Sequence, residues 1–491
     1  MYTTRYILAI DQSTSGTKAM LFDSEGHLAA RKDIAHRQIV NEQGWVEHDG
    51  EEIYQNTCKA VADLLQESET PPSAIVAAGI SNQRETGMMW TRTGKPVYHA
   101  VVWQCARAAQ FCEELKATGI EKQVKEKTGL RLSPYFTAAK FGWLLQHVPQ
   151  AQQALADGEL LAGTMDAWLL YRLTGHHCTD YSNASRTQLF NINTLQWDSE
   201  LCAWFGVPME ILPKVCDSDA NFGTTTFDGV FETPIPICSV MGDSHAALFA
   251  QGCTTPGQGK ATYGTGSSVM INTGTRKICS DSLVTSIAWG MQGKVQYVLE
   301  GNLNYTGAVI NWLKDDLELI THPSQAQTLA ESVSDTGGVY LVPSFSGFGA
   351  PYWRSDAHAL LCGMSRSTKR AHIVRAAEEC IAYQITDIVR GAEKAGVPLQ
   401  HLRTDGGATK DSFLMQFQAD MLQFAVAASR VQELSGAGVA FAAGLAVGFY
   451  QAGVLHETQA AIQYIPHMPQ KQAQTLYDGW QNAVRLALQK P

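Results

Sequence analysis

Charge is scarce in this chain, and what charge there is leans acidic. Charged residues make up 17% of the 491 residues, with 47 acidic against 37 basic side chains and a formal net charge of -10. A net negative protein gains no general attraction to nucleic acid or to anionic membranes. We therefore expect a small-molecule partner, with neither nucleic acid nor a membrane among the partners.

Long hydrophobic runs and paired cysteines are also missing. The longest apolar candidate, 439–450, has about half of the roughly 20 residues that a membrane helix needs. The first residues show no long apolar segment with a small-residue cleavage site, so no signal peptide is indicated. The 11 cysteines are scattered and never form a C-x-x-C pair. This pattern argues against a zinc or disulfide framework and favours a cytoplasmic protein with reduced thiols.

Apolar residues, at 45% of the chain, are plentiful enough for sizeable cores. At roughly 150 residues per domain, the length favours two large units, and we place their boundary near residue 250, giving domains 1–250 and 251–491. Apolar runs such as 75–80 alternate with helical spacing such as 51–67, which favours an α/β fold. An apolar run, a small polar turn and a second apolar run occur at 6–23 and again at 260–271. This weak internal repeat indicates two related domains.

Three turns rich in glycine and hydroxyl residues join apolar runs, at 11–18, 264–268 and 405–410. Glycine lets backbone N–H groups approach phosphate oxygens closely, and Ser and Thr supply further donors. Asp11, at the first turn, suits a Mg²⁺ ion, directly or through water. Each turn taken singly is better explained as an ordinary connection, but the three together favour a phosphate site.

Motifs for several other chemistries are absent. The chain has no G-x-x-x-x-G-K-[ST], no complete dinucleotide fingerprint and no H-E-x-x-H. The segment 242–246, GDSHA, nearly matches the G-x-S-x-G elbow of serine hydrolases. In that alternative Ser244 is the nucleophile, and a later histidine such as His358 or His372 is the base. In a phosphoryl-transfer enzyme, Asp243 would instead accept the proton of a substrate hydroxyl.

A polar cluster follows the apolar run that ends at Ile80. Ligands of α/β proteins tend to bind at the carboxyl ends of strands, and Arg84 with Glu85 offers donors and acceptors for vicinal hydroxyls. Trp103 and Tyr135 offer an apolar wall with a polar tip. Alone, Arg84 and Glu85 are better explained as a solvated surface pair, and each aromatic as a core residue.

Taken together, the motifs resemble the FGGY carbohydrate kinases, and among them most closely the glycerol kinases. The matching segments run almost end to end. They are 11–14, 44–49, 80–86, 102–104, 134–136, 180–187, 263–266, 287–290, 349–353, 405–407 and 413–420.

The resemblance implies an actin-like ATPase fold of two RNase H-like domains with a catalytic cleft between them. The polyol would lie mainly on the first domain, and ATP mainly on the second. The enzyme would be an ATP- and Mg²⁺-dependent kinase of a small polyol or sugar, acting as a homodimer or homotetramer. An actin-like ATPase without a polyol substrate would share this fold, but such proteins lack the cluster of Arg84, Glu85, Trp103 and Tyr135.

The resemblance also assigns roles to individual residues. Asp243 is the implied general base, and Asp11 and Asp243 are the implied metal residues. The positions matching glycerol contacts are Arg84, Glu85, Trp103, Tyr135, Asp243, Ser244 and Ser268. The positions matching nucleotide contacts are Asp11, Thr14, Ser15, Lys18, Gly264, Thr265, Gly266, Gly307, Asn311, Gly407 and Asp411.

Two departures from the family pattern concern the substrate. Glycerol kinases have Gln after the catalytic Asp, where this chain has Ser244, and Phe after the Gly-Thr-Gly turn, where it has Ser268. Both changes remove volume and add a hydroxyl. We therefore expect a larger, more polar pocket in which a four- or five-carbon polyol or ketose, such as erythritol, threitol, xylitol or a pentulose, fits at least as well as glycerol.

Overall fold

The computed structural model of the chain describes residues 4–431, 433–451 and 461–489. The first half contains strands β1 (Tyr6–Gln12), β2 (Gly16–Phe22), β3 (Leu28–Ala35), β4 (Ile39–Val40), β5 (Val46–His48), β6 (Ile75–Asn82), β7 (Gly87–Thr91), β8 (Ala100–Val101), β9 (Leu160–Thr164), β10 (Cys178–Asp180), β11 (Phe190–Asn191), β12 (Gln196–Trp197), β13 (Lys214–Cys216), β14 (Thr224–Thr225) and β15 (Ile235–Gly242). Its helices are α1 (Gly50–Glu67), α2 (Ala109–Ala117), α3 (Glu121–Thr128), α4 (Thr137–His147), α5 (Pro149–Ala156), α6 (Met165–Thr174), α7 (Tyr181–Ala184), α8 (Ser199–Phe205) and α9 (Asp243–Ala250), with 3₁₀ turns at Pro72–Ala74 and Met209–Ile211.

The second half contains strands β16 (Gln258–Tyr263), β17 (Ser267–Gly274), β18 (Val284–Met291), β19 (Lys294–Leu303), β20 (Tyr340–Val342), β21 (Leu360–Cys362), β22 (His401–Asp405), β23 (Val426–Ser429) and β24 (Ala461–Tyr464). Its helices are α10 (Gly307–Asp315), α11 (Gln325–Glu331), α12 (Arg370–Lys394), α13 (Ser412–Leu422), α14 (Leu434–Ala446) and α15 (Gln470–Leu488), with a 3₁₀ turn at Gly407–Lys410. Within the described ranges, no helix has the length and apolar character needed to cross a membrane.

Two large sheets form the centres of the halves, and their strands follow a shared plan. The first sheet has the order β14-β15-β6-β1-β2-β3, and the second has the order β18-β19-β17-β16-β22-β23-β24. In each, an antiparallel meander (β1-β2-β3 or β16-β17-β19) continues through its first strand into two parallel strands (β6 and β15, or β22 and β23). The weak internal repeat is therefore confirmed as a repeated topology. The domain boundary near residue 250 stays a prediction.

The opening hairpin shows how the sequence builds the first sheet. Apolar residues fill both strands, and β1 is buried from Ile7 onwards because it lies between two neighbours, β2 and β6. The register pairs Asp11 with Lys18 across the turn. The predicted strand-turn-strand unit is confirmed, and the predicted helix and strand at 51–67 and 75–80 correspond to α1 and β6.

The parallel strands bring distant polar segments to one edge. The carboxyl ends of β1, β6 and β15 lie side by side, with Gln12 opposite Asn82 and Asn82 opposite Gly242. This arrangement places Asp11, the cluster that begins at Ser81, and Asp243 next to one another. In the second sheet, Thr262 lies opposite Asp405, so the Gly264 and Gly406 turns also share an edge.

Helix α14 crosses from the second half of the sequence to the first sheet. The Gly- and Ala-rich sequence over 432–450 predicts a helix there; in the structure the helix begins at Leu434 and ends at Ala446, and Gln432 lies outside the described residues. The helix packs against β1, β6, β15 and α9 in a core of small and apolar side chains. Backbones approach closely there, because a Cβ atom at Gly79 would lie 2.5 Å from the carbonyl oxygen of Val439, and one at Gly438 would collide with that of Ala246.

Candidate active site

A central cavity of about 730 Å³ lies where the edges of the two sheets meet. The first half contributes Asp11, Lys18, Asp243 and Ser244 to its lining. The second half contributes charged and polar side chains that include Lys260, Thr262, Asp405, Lys410 and Glu433. Residues that are far apart in sequence therefore form one polar chamber, and Lys260, Asp405 and Glu433 were not among the predicted site residues.

Asp11 is a buried carboxylate at the end of β1, only 6% exposed. Its Oδ1 accepts a hydrogen bond from Ser81 Oγ at 2.9 Å, and its Oδ2 lies 3.8 Å from Lys18 Nζ. Burial raises the pKa of Asp11 to about 6, although Lys18 and the Ser81 hydroxyl act in the opposite direction. A cation that enters the cavity would stabilise the ionised form of a carboxylate buried in this way.

Lys18 is held by a second carboxylate. Its Nζ donates to Glu433 Oε2 at 2.5 Å, and Arg31 donates to the other oxygen of the same carboxylate at 2.5 Å. Glu433 precedes α14, so this contact ties the start of that helix to the first sheet. The Lys18 ammonium is at the cavity, as predicted, but its charge is offset by Asp11 and Glu433.

Asp243 is the first residue of α9, directly after β15, and its side chain is 37% exposed. One carboxylate oxygen, Oδ1, lies 3.2 Å from Arg84 Nε and accepts the backbone N–H of Ser244 at 2.6 Å. The Arg84 guanidinium and the N-terminus of α9 therefore hold the Asp243 carboxylate in place. Asp243 is an accessible carboxylate, and among the described residues its Oδ2 makes no hydrogen bond or ion pair, which leaves that oxygen available to accept a proton.

Four buried charges support the neighbouring substrate side of the site. Arg84 donates to both oxygens of Glu300, at 3.0 and 3.3 Å, and Arg186 donates to Glu300 at 2.5 Å. Arg186 also donates to Glu85 at 2.5 Å. Burial alone would raise the pKa of Glu300, but Arg186 and Arg84 bring that pKa well below its ordinary value.

Arg84 and Glu85 are therefore members of a buried network rather than a solvated surface pair. Sequence reasoning missed the other two members, Arg186 and Glu300. Arg186 lies in the matching segment 180–187, which was a usable signal, whereas Glu300 lies in the middle of β19 and only the fold brings it to the site. Ser268 joins the network through its Oγ, 3.4 Å from Glu300 Oε1.

An aromatic wall stands beside this network. The rings of Trp103 and Tyr135 meet edge to face at 5.7 Å, and Trp103 Nε1 donates to Thr14 Oγ1 at 2.9 Å. Thr14 therefore faces the aromatic wall, while Ser15 is exposed at the tip of the β1–β2 turn. The buried Lys140 ammonium donates to the carbonyl oxygens of residues 134–136, which fixes the segment that carries Tyr135.

A second cavity of about 390 Å³ adjoins the central one in the second half. The predicted nucleotide residues that line it are Gly264, Thr265, Gly307, Asn311, Gly407 and Asp411. Gly407 and Lys410 line both cavities. The two cavities are therefore neighbours, and the carboxylates Asp11 and Asp243 line the central one.

The Gly-Thr-Gly turn is fixed against the start of α10. The N–H of Gly307 donates to Gly264 O, and that of Ala308 to Thr265 O, each at 3.0 Å. A Cβ atom at Gly307 would lie 2.6 Å from Gly264 O, so only glycine permits this approach. Gly266 does not line the pocket; it supports the turn, since its own carbonyl accepts the Gly264 N–H at 2.9 Å.

Two carboxyl groups, Asp411 and Glu378, face the second cavity. Asp411 caps α13 by accepting the N–H of Leu414 at 2.9 Å. Burial raises the pKa of both groups, and that of Glu378 well above its ordinary value, with the charge of Asp411 adding to the shift. Burial thus favours the protonated form of Glu378 more strongly than that of Asp411. No sequence signal had pointed to Glu378.

The geometry gives the hydrolase alternative no support. Over the described ranges, no histidine accepts a hydrogen bond from Ser244 Oγ, and the adjacent His245 is buried with its Nε2 3.5 Å from Ser286 Oγ. His372 Nδ1 accepts the backbone N–H of Lys369 at the start of α12. The His358 carbonyl accepts a bond from Ser344. A serine nucleophile would have no base here.

Comparisons with known proteins agree with this geometry. Residues 6–250 match the family model of the N-terminal domain of the FGGY family of carbohydrate kinases, and residues 259–447 match that of its C-terminal domain. The chain is 47% identical to glycerol kinase 1 of Thermotoga maritima, over 98% of this chain and 99% of that one, and 45% identical to a glycerol kinase of Stenotrophomonas maltophilia, over 99% of each. The crystal structure of Plasmodium falciparum glycerol kinase with ADP is 36% identical, covers 99% of both chains and superposes with a TM-score of 0.94. This chain belongs to the FGGY family of carbohydrate kinases.

Proposed function

We propose that this carbohydrate kinase transfers the γ-phosphoryl group of ATP to a terminal hydroxyl of a small polyol, as a glycerol kinase-like enzyme. The observation that carries the proposal is the position of Asp243. It lies beside Arg84 and the buried substrate network on one side, and lines the cavity that continues into the predicted nucleotide pocket on the other. The similarity to proteins named glycerol kinase over almost the whole chain supports the same activity.

The transfer is direct and in line. The substrate hydroxyl attacks the γ-phosphorus, its proton passes to Asp243, a new O–P bond forms, and the bond to the β-phosphate oxygen breaks to leave ADP. Arg84 holds the Asp243 carboxylate at 3.2 Å and orients it. Trp103 and Tyr135 pack against the carbon chain, and Arg84 with Glu85 binds its hydroxyls.

The nucleotide occupies the second cavity, with its phosphates directed toward the central one. Gly264, Thr265, Gly307, Asn311, Gly407 and Asp411 contact the nucleoside and the α-phosphate, and the turn with Thr14, Ser15 and Lys18 faces the terminal phosphates. Backbone N–H groups of such turns are suited to phosphate oxygens.

The residues present fit a Mg²⁺ ion. Proteins commonly hold this ion through one or two carboxylates together with substrate phosphates and water, and Asp11 and Asp243 line one cavity. No cluster of three or more His, Cys, Asp or Glu is found in the described part of the chain, so the proposed site relies on substrate phosphates and water for its other ligands. When bound, the ion would neutralise charge on the β- and γ-phosphates.

Replacing Asp243 tests the function directly. We expect Asp243→Asn to lower kcat by about 100- to 10,000-fold, the usual contribution of a general base, in a coupled ADP-release assay. Because Asp243 does not line the second cavity, ADP affinity measured by calorimetry should remain unchanged. The matched control is Asp315→Asn, an exposed position on α10. Unchanged turnover of the Asp243 variant would reject the assignment.

Ser244 and Ser268 favour a second candidate, a kinase of four- or five-carbon polyols or ketoses. Ser268 lies at the network through Glu300, and Ser244 lines the central cavity, so both shape the space around the substrate. A panel of glycerol, erythritol, threitol, xylitol and pentuloses decides between the candidates by kcat/KM. Far better turnover of glycerol than of all the longer substrates would reject the larger-substrate hypothesis and retain the glycerol kinase-like one.

A further inference from the structure

Lys260 is a buried cation in the wall of the central cavity. It lies on β16, three residues before Tyr263, which ends the strand and leads into the Gly264 turn. Its side chain is only 1% exposed. Its Nζ donates to Thr262 Oγ1 at 2.7 Å. Over the described residues this is the one hydrogen bond that the ammonium makes, although it carries three N–H donors. Two donors therefore remain for a ligand in the cavity.

Lys260 lies among charges from both halves of the chain. Burial lowers the pKa of Lys260, while Asp405, Asp243 and Glu300 act against this and Arg84 adds to it. None of these carboxylates lies within 4 Å of the Nζ atom, and Asp405 is engaged with Gln251 at 2.5 Å. The cation thus faces the reacting region without a direct ion-pair partner among the described residues.

The other cationic side chains that line the cavity are less suited to stabilise negative charge in the reacting region. Lys18 is bonded to Glu433 at 2.5 Å and lies 3.8 Å from Asp11. Lys410 and Arg430 are exposed at the rim. A phosphoryl group in transit carries negative charge on its three equatorial oxygens, and a fixed buried cation stabilises that charge more strongly than a solvated one.

We propose that Lys260 is a catalytic residue that contacts the transferring phosphoryl group. Its ammonium donates to the equatorial oxygens while the bond to ADP breaks and the bond to the polyol oxygen forms, and it keeps its proton throughout, since the hydroxyl proton goes to Asp243. This inference rests on the proposed phosphoryl-transfer function. In this arrangement the second half of the chain supplies the cation, and it lies opposite the first-half carboxylates Asp11 and Asp243 in the cavity.

The test compares Lys260→Met and Lys260→Gln with wild type and with Lys59→Met, an exposed control on α1. We expect kcat at saturating substrates to fall by about 100- to 1,000-fold, as for loss of one preorganised charge-stabilising donor. Calorimetric affinity for ADP alone should change by less than about threefold. Affinity for ADP with aluminium fluoride, Mg²⁺ and glycerol, a mimic of the transferring group, should fall with kcat. Lys260→Arg should recover part of both.

A structural lysine would behave differently. If both variants lost ADP affinity and thermal stability in proportion to kcat, or if kcat stayed within about threefold of wild type, the proposal would be overturned. Lys260→Gln retains a hydrogen bond to Thr262, so it keeps the test open if the Met variant does not fold. Failure of the wild type to phosphorylate any polyol with ATP would instead reject the proposed function itself, and the two failures are therefore distinguishable.

Discussion

Glu300 is a buried carboxylate whose two oxygens are shared by two arginines. Arg84 and Arg186 approach it at 2.5–3.3 Å, and all three side chains are no more than 7% exposed. Charges removed from water in this way are tolerated only when each has partners. The network therefore sets the position of Arg84, and through it the position of Asp243.

At the residue scale we predict that Glu300→Gln is strongly destabilising. The substitution removes the buried negative charge that both guanidinium groups share and leaves them with only Glu85 and Asp243 as carboxylate partners, so the free energy of unfolding should fall by about 3–5 kcal/mol in urea denaturation. The control is Asp63→Asn, which removes an exposed ion pair with Lys59 and should cost no more than about 1 kcal/mol. Equal effects of the two substitutions would contradict the network's role.

At the scale of secondary-structure elements, helix α14 is the key element, because its close packing depends on small residues. Gly438 lies directly against the Ala246 carbonyl in the middle of α9, so α14 packs closely on the helix that begins with Asp243. The N-terminal end of α14 also lies at the cavity, through Glu433, Leu434 and Ser435. A glycine-rich helix that looks unremarkable in sequence thus supports the catalytic edge of the first sheet.

We predict that Gly438→Ala destabilises the protein by about 1–3 kcal/mol, the cost of overpacking a tight core. Gly391→Ala is the matched control, since Gly391 is also inside a helix and its Cβ would lie 3.2 Å from Ser282 Oγ and at ordinary contact distances of 3.7 and 3.8 Å from the Leu283 side chain. There the higher helix propensity of Ala should leave stability unchanged or raise it by up to about 1 kcal/mol. Melting temperatures measure both, and a neutral Gly438→Ala would show that the helix can move away.

At the scale of the whole molecule, two copies of one topology place their strand ends on either side of a shared cavity. The first copy brings Asp11, Arg84 and Asp243 together, and the second brings the Gly264 and Gly406 turns. Under the proposed function, a substrate and a nucleotide that bind on opposite sides would meet in this cavity, and exclusion of water there would favour the attacking hydroxyl.

We predict that ADP stabilises the protein through the second half alone. At a free concentration of about 100 times Kd, ligand linkage adds roughly 2.7 kcal/mol to the free energy of unfolding. The rise in melting temperature should be equal in wild type and Asp243→Asn, because Asp243 does not line the nucleotide pocket. A shift that disappears in the variant would place the nucleotide elsewhere.

Much of the local structure of this protein could be predicted from its sequence alone. Alternating and continuous apolar runs predicted the strands β1, β2 and β6, and short local signals predicted the turns near Asp11 and Gly264, because secondary structure and turn chemistry depend on neighbours in the chain. The near-miss elbow at Ser244 shows the limit of local patterns. The segment has the spacing of a hydrolase motif, but no histidine base lies within hydrogen-bond reach of Ser244 in the described part of the chain.

Only the tertiary structure decided which charges are buried together. Arg186 and Glu300 lie 114 positions apart, Lys18 and Glu433 lie 415 apart, and Lys260 appears in sequence as one more residue of a strand. The roles of these residues depend on the parallel crossovers that bring strand ends to one edge of the sheet. They also depend on burial, which raises the cost of an unpaired charge and strengthens the attraction between paired charges. Sequence thus determined the repeated α/β plan and the positions of the small-residue turns, whereas the fold alone determined the electrostatics of the cleft.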